Sequence, residues 1–191
     1  MENLYYLLSN FIISTDTKII HLLYISRTDM LVNLFYFITL FAESITIIIF
    51  SIILSVFLWI KRQHIYLFFL WFTLIIGEGL TFFGKHIFQR ERPDISLQAI
   101  TEDSFSFPSG HATIVILFYG FLVYLIIKKQ KSLKIQIITL FLFIVAVILI
   151  DFSRLYLGVH YLSDVLAGNL VGLITLLLSI SIIEWLAKHH K

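Results

Sequence analysis

The chain has 191 residues, of which 59% are hydrophobic and only 14% are charged, a composition too apolar for a soluble domain of this size. The formal net charge of +2 is too small to indicate nucleic-acid binding. The absence of cysteine excludes disulfides, thiolate metal sites and a cysteine nucleophile. We therefore expect an integral membrane protein in which any covalent chemistry uses another side chain.

The N-terminal segment is less apolar than the rest of the chain. Residues 4–28 are interrupted by Asn10, Asp16 and Lys18, so we expect the segment 1–29 to lie at the membrane interface instead of crossing the membrane. Its first 15 residues contain no basic n-region and no small-residue cleavage site, so no removable signal peptide is expected.

Five apolar stretches follow, and each predicts a membrane-spanning helix because a bilayer core requires about 20 helical residues. The stretches are residues 31–60, 65–84, 112–127, 135 to about 157, and 165–187. The third reaches this length only if Ser109, Gly110 and His111 form its first turn, which places a polar motif at a helix N-terminus. No repeat or linker interrupts the chain, so residues 1–191 are predicted to form one all-α, multi-pass membrane bundle.

Basic residues are distributed unequally between the connections. With five spans, the connections after the first and third helices and the C-terminal tail lie on one side of the membrane. That side carries eight of the fourteen basic residues, namely Lys61, Arg62, Lys128, Lys129, Lys131, Lys134, Lys188 and Lys191. Because basic loops stay in the cytoplasm, the connections 85–111 and 154–164 are predicted to face the periplasm or the cell exterior, with the protein in the cytoplasmic membrane.

The first polar motif runs from Lys85 to Pro93. Lys85 and Arg92 are separated by six residues, and the proline ends the helix, so an ammonium and a guanidinium can approach one anion from two directions. Taken alone, basic residues at a helix end are more often interfacial anchors.

The second motif is the turn Pro108-Ser109-Gly110-His111 that enters the third predicted span. Such a turn leaves backbone N–H groups and a hydroxyl directed at any phosphate docked there. An ordinary N-cap explains the turn equally well, but it does not explain a histidine at the mouth of a membrane helix.

The third motif contains Ser153, Arg154, His160 and Asp164. If a helix begins by His160, the histidine and Asp164 share a face, and the carboxylate can accept the imidazole N–H. The other ring nitrogen is then free to attack. A histidine and an aspartate four apart are common by themselves, but the three motifs together indicate an anion site with a nucleophile and a proton donor.

The region between Lys85 and Asp164 resembles the type-2 phosphatidic acid phosphatase superfamily, the integral-membrane lipid phosphate phosphatases. It matches every fixed position of the three-part signature of that family, which is K-x6-R-P, P-S-G-H and S-R-x5-H-x3-D. The resemblance implies a helical core, a lipid phosphate substrate and a mechanism without metal or cofactor. It implies that His160 is the nucleophile, that Asp164 orients it, and that His111 protonates the leaving oxygen. The residues implied to hold the phosphoryl group are Lys85, Arg92, Ser109, Gly110 and Arg154.

The resemblance also suggests a substrate. Many bacterial members have a sixth span at the N-terminus, whereas this chain resembles the smaller undecaprenyl pyrophosphate phosphatases of the group. Undecaprenyl pyrophosphate is therefore the expected substrate. Phosphatidylglycerophosphate, phosphatidic acid, lipid A and transfer of the phosphoryl group to a second lipid remain alternatives, and the sequence does not indicate an oligomeric state.

Several further residues have open roles. Glu43 and Glu78 lie inside predicted spans, where an ionisable side chain indicates either function or a carboxyl packed between helices. Glu78 lies two helical turns before Lys85 and could tether it or line the substrate groove. The remaining expectations are a solvated Arg90, Asp151 as a possible partner of an arginine, close helix packing at Gly168 and Gly172, and a solvated tail at residues 189–190.

Two other classes of protein are less well supported. An anion transporter would need polar residues along several spans, and the strong exceptions here are Glu43, Glu78 and Asn169. Neighbouring Lys and Arg side chains would repel the cation of a metalloenzyme. The candidate ligands for such a metal would be His86, Asp94, His111, His160 and Asp164.

Overall fold

The computed structural model describes residues 2–189, with side chains from residue 6 onward, so the predictions for His190 and Lys191 lie outside the described residues. Within this range the chain forms helices and no strands. The α-helices are α1 (Glu2–Ile25), α2 (Asp29–Thr39), α3 (Ser44–Ile60), α4 (His64–Phe88), α5 (Gly110–Lys129), α6 (Leu133–Tyr156) and α7 (Leu162–His189). Two single 3-10 turns occupy Leu40–Ala42 and Ile95–Leu97.

The prediction of an all-α membrane bundle with about five spans is confirmed. Helices α4, α5, α6 and α7 are each long and apolar enough to cross a membrane. Helices α2 and α3 form a fifth candidate as a pair bent by 43°. Helix α1 is not among these candidates, and its interfacial position stays a prediction.

The first apolar stretch, expected as one long helix, is broken in the structure. Helix α2 passes into the turn Leu40–Ala42, and Glu43 then adopts an extended conformation (φ −67°, ψ 141°) before α3 begins at Ser44. A helix break of this kind leaves room for a polar side chain to turn toward other polar groups. The Glu43 carboxyl consequently lines an open cavity.

Helix α5 is the centre of the bundle and packs against α4, α6 and α7. The predicted close packing of α7 is confirmed at Gly172, where a Cβ would lie 2.8 Å from the Thr113 carbonyl oxygen of α5. This close approach aligns the N-terminal ends of α5 and α7, and Ser109 N donates to the Asp164 carbonyl oxygen at 3.0 Å. Two of the polar motifs are thereby joined directly.

The N-terminal helix α1 packs against α6 and α7 near the same polar motifs. Its Asp16 is only 3% exposed, and Arg27, just beyond the helix, donates to the carbonyl oxygens of Tyr156 and Leu97 at 2.7 and 2.5 Å. The segment that the sequence presents as a peripheral helix therefore contributes a buried acidic side chain to the polar end of the bundle.

Candidate active site

The three motifs meet at one cavity of about 870 Å³. Its walls come from the break between α2 and α3, from α4, from the loop around residue 102, and from the first turn of α5. The predicted site residues that line it are Lys85, Arg92, Gly110, His111 and His160. Ser109, Arg154 and Asp164 lie behind this wall.

His160 lies in the short connection between α6 and α7 and is 1% exposed. Helix α7 begins at Leu162, after the histidine, so the expected helical pairing of His160 with Asp164 does not form. The His160 Nδ1 and Asp164 Oδ2 atoms are 3.5 Å apart, and Oδ2 accepts a hydrogen bond from Tyr161 N at 2.8 Å. The carboxylate thus faces Nδ1 at ion-pair distance, without a hydrogen bond.

The other ring nitrogen of His160 faces the cations of the cavity. Its Nε2 lies 3.3 Å from Arg92 Nη1. Burial, and then the charges of Arg154, Arg92 and Lys85, lower the pKa of His160 well below its ordinary value of 6.5. The imidazole is therefore neutral at physiological pH, which is the state that a nucleophile requires.

Arg90, expected as a solvated charge, is instead held by two carboxylates. Its guanidinium lies 2.7 Å from Asp16 Oδ2 and 2.6 Å from Asp164 Oδ1, donates to Ser163 Oγ, and stacks over the Tyr161 ring. Burial lowers the pKa of Arg90, but Asp16 and Asp164 outweigh burial and raise it. The expectation was wrong because Asp16 reaches this end of the bundle only through the packing of α1.

Glu102 is a site residue that sequence reasoning missed. One oxygen lies 2.9 Å from Arg92 Nη2, and the other pairs with Arg154 Nη2. Burial raises the pKa of Glu102, but the charges of Arg154 and Arg92 outweigh burial and hold it below its ordinary value. An ionised carboxylate therefore lies between the two guanidinium groups expected to hold a phosphoryl group. The connection between the first two motifs contains three acidic residues, Asp94, Glu102 and Asp103, and no pattern in the sequence singles out Glu102.

Two predicted phosphate-holding residues point elsewhere. Arg154 is 1% exposed and donates to Thr39 Oγ1 at 2.9 Å as well as to Glu102. Ser109 is the N-cap of α5, as the turn predicted, but it is fully buried and its hydroxyl accepts from Ala112 N. Capping the helix therefore takes the hydroxyl that was expected to face the phosphate.

The remaining polar residues of the cavity come from α4 and α5. The Lys85 Nζ donates to the Phe105 carbonyl oxygen, so of the two roles considered for Glu78 the tether to Lys85 does not form. The Glu78 carboxyl lines the cavity, and its Oε1 has no hydrogen-bond partner among the described residues. His111, on the first turn of α5, places Nε2 3.3 Å from Glu43 Oε2.

The other sequence candidates lie apart from this chemistry. Asp151 accepts a hydrogen bond from Asn169 Nδ2 at 2.6 Å, so its expected pairing with an arginine was wrong. His86 contacts the Phe82 carbonyl oxygen, and Asp94 accepts from the Ser96 N–H. Within residues 6–189, no three histidine or acidic side chains come close enough together to hold a metal ion.

Comparisons with known proteins agree with this architecture. A family model described as the PAP2 superfamily matches residues 45–188. Phosphatidylglycerophosphatase B of Bacillus subtilis is 37% identical over 91 residues, which cover 47% of this chain and 44% of the relative. YbjG of Escherichia coli, which carries the name of an undecaprenyl-diphosphatase, is 36% identical over 112 residues, 56% of this chain and 50% of the relative.

A solved structure extends the likeness to almost the whole chain. The crystal structure of a transmembrane PAP2-type phosphatidylglycerolphosphate phosphatase from Bacillus subtilis superposes with a TM-score of 0.85 at 27% identity. The superposition covers 92% of this chain and 87% of the other. In sequence, by contrast, the match spans half or less of the length of the two curated relatives.

Proposed function

Because the chain belongs to the PAP2 superfamily, we propose that it is an integral-membrane lipid phosphatase that works through a phosphohistidine. One observation carries the proposal: the buried His160 lies beside Lys85 and Arg92 on a cavity that a second histidine, His111, also lines. A neutral imidazole is a nucleophile, and fixed cations stabilise the charge on the phosphoryl oxygens in the transition state.

The reaction begins with attack of the His160 Nε2 lone pair on phosphorus. As the P–N bond forms, the bond to the leaving oxygen breaks, and His111 transfers its proton to that oxygen. Water then attacks the phosphohistidine, His111 accepts a proton from this water, and inorganic phosphate is released with free His160. Lys85, Arg92 and Arg154 neutralise the phosphoryl oxygens in both steps.

The phosphoryl group and Glu102 compete for the same two guanidinium groups. A phosphate dianion carries more charge than a carboxylate and forms more charge-assisted hydrogen bonds with arginine. Binding of the substrate therefore displaces Glu102 and gives the phosphoryl group access to Arg154. Since side-chain cations supply the positive charge, activity is expected to persist in an excess of chelator.

The walls of the cavity support a lipid substrate. Tyr36 of α2, Phe82 of α4 and Ile114 of α5 line it together with the charged groups. Apolar walls beside charged groups suit a phosphate whose alkyl chains remain in the bilayer. We place undecaprenyl pyrophosphate first, supported by the name of the YbjG relative. Phosphatidylglycerophosphate is the main alternative.

The charge distribution supports a cytoplasmic membrane location with the site facing outward. Lys61 follows α3 and Lys128 and Lys129 end α5, at the ends of these helices that are remote from the cavity. Positive residues of this kind mark the cytoplasmic side. Single cysteines at positions 98 and 131 of this cysteine-free chain test the orientation: an impermeant thiol reagent should label position 98 in intact cells, and labelling at position 131 alone would contradict it.

A substrate panel tests the function. Purified protein is assayed for phosphate release from undecaprenyl pyrophosphate, phosphatidylglycerophosphate, phosphatidic acid and lipid A, with His160→Ala as the inactive control. We expect the highest kcat/KM with the polyprenyl substrate. A tenfold preference for another lipid would change the proposed substrate but not the proposed mechanism. No phosphate release from any of the four lipids would contradict the proposed function.

A further inference from the structure

Glu43 occupies an unusual position for a carboxyl in a predicted membrane span. It is the one extended residue between the turn that ends α2 and the first residue of α3. A residue at such a position normally caps the following helix, but the Glu43 side chain makes no capping hydrogen bond. The carboxyl instead turns into the catalytic cavity, where it remains 45% exposed.

The neighbour that this carboxyl meets is His111. The Oε2 atom of Glu43 lies 3.3 Å from His111 Nε2, and Nε2 has no hydrogen-bond partner among the described residues. Glu43 lies between α2 and α3, whereas His111 lies far along the chain in the first turn of α5, so the break between α2 and α3 is what brings the two together.

The other charges around His111 make this pairing consequential. Arg154 faces the ring with a positive charge, and Glu102 faces it with a negative one. Glu102, however, is already shared between Arg92 and Arg154. Within residues 6–189, Glu43 forms an ion pair with His111 and forms none with an arginine or a lysine.

We infer that Glu43 is a positioning residue for the general acid of the reaction, fixing the orientation of the His111 ring through Nε2 and opposing, with its negative charge, the burial and the Arg154 charge that disfavour the imidazolium. This inference rests on the proposed function. During cleavage the P–O bond breaks, and His111 passes a proton to the leaving oxygen from its other ring nitrogen. In the second step His111 takes a proton from the attacking water, and Glu43 stabilises the imidazolium again without itself transferring a proton.

The dependence on the leaving group separates this role from a structural one. An alkoxide leaves only if it is protonated, whereas a nitrophenolate leaves without help from an acid. The matched substrates are an alkyl phosphate with a twelve-carbon chain and a nitrophenyl phosphate bearing the same chain. For Glu43→Gln we expect kcat/KM to fall about 30-fold on the alkyl ester and by less than about threefold on the aryl ester.

Three further variants complete the experiment. Glu184→Gln removes a carboxylate that pairs with Lys128 at the far end of the bundle, and it should leave both activities unchanged. Glu43→Asp keeps the charge and should recover part of the alkyl activity, which also covers the case in which Glu43→Gln does not fold. Adding Glu43→Gln to His111→Ala should cause no further loss on the alkyl ester, because the pair acts as a unit.

The outcomes separate the inference from the proposed function. Equal losses on the two esters, no loss on either, or an additive double variant would overturn the role of Glu43. A wild-type protein that cleaves neither ester nor any lipid of the substrate panel would contradict the proposed function itself.

Discussion

The two histidines of the cavity are both largely buried, but they face different carboxylates. His160 is enclosed by protein at the end of a chain of charges, in which Asp16 holds Arg90, Arg90 holds Asp164, and Asp164 faces the imidazole. His111 stands on the first turn of α5, where its carboxylate partner is half exposed. The difference follows from the two tasks proposed for them, since a nucleophile needs an uncharged ring and an acid needs a proton.

The carboxylates beside the two rings differ in the same way. Asp164 is fully buried, and its charge is largely committed to Arg90 and to the Tyr161 N–H. It therefore fixes the position of the imidazole more than it favours protonation. Among the described residues, Glu43 forms its ion pair with His111, and the charge of Arg154 acts on Glu43 without forming an ion pair with it. Disrupting the charges around His160 should therefore affect nucleophilic attack, whereas disrupting Glu43 should affect protonation of the leaving group.

The largest effect is expected for His160→Ala, which removes the proposed nucleophile. Turnover should fall by about four orders of magnitude or more. Quenching the wild type with labelled substrate, without acid, should trap the label on His160. His21→Ala, which alters an exposed histidine of α1, is the matched control. Label found on His111 would reverse the roles of the two histidines.

The second effect concerns the charge chain behind His160. Arg90→Gln leaves Asp16 and Asp164 buried without their cation, and unpairing a buried carboxylate costs about 3 kcal/mol or more. We expect a lower thermal unfolding temperature and a loss of kcat of about tenfold to 100-fold. The control is Lys128→Gln, which removes an ion pair with Glu184 at the surface that contributes at most about 1 kcal/mol to stability. Equal stability in the two variants would show that Arg90 is not a structural link.

A third prediction concerns the carboxylate that lies between the arginines. Glu102→Gln removes the ionised competitor for Arg92 and Arg154, so vanadate, which mimics the phosphoryl group in its transition state, should inhibit about tenfold more strongly. The measurement is the inhibition constant of vanadate with a fixed lipid substrate, and Asp103→Asn is the control. Weaker inhibition of the Glu102 variant would mean that this carboxylate assists binding.

The smallest effect is a shift in pH dependence. Burial, and then the neighbouring cations, hold the pKa of His160 below 6.5, so the neutral form, and with it kcat/KM, should persist as the pH falls through that value. Arg92→Gln removes one of these cations, which raises the pKa of His160 and moves the acid limb to higher pH. The pH profiles of kcat/KM for the wild type and the variant are measured with the same substrate, so that ionisation of the substrate contributes equally to both. A limb that stays in place or moves down would contradict this electrostatic account.

The sequence alone predicted the membrane class, the number of spans and the turn that starts α5. These features depend on local properties, because a bilayer selects apolar runs of a given length and a Pro-Ser-Gly turn initiates a helix wherever it occurs. The three motifs were also sufficient to indicate the family, because their spacing specifies the chemistry of the superfamily without reference to the rest of the chain.

The partners of the charged residues were decided by tertiary structure. Arg90 meets both Asp16 and Asp164 across 74 residues of sequence, Glu102 reaches Arg154 across 52, and Glu43 reaches His111 through a helix break that hydropathy does not register. An apolar run reports how long a helix can be, but not where it bends or which neighbour it packs against. Ion pairs between helices depend on that packing, so only the assembled bundle determines which of these charges are paired and which remain available to a substrate.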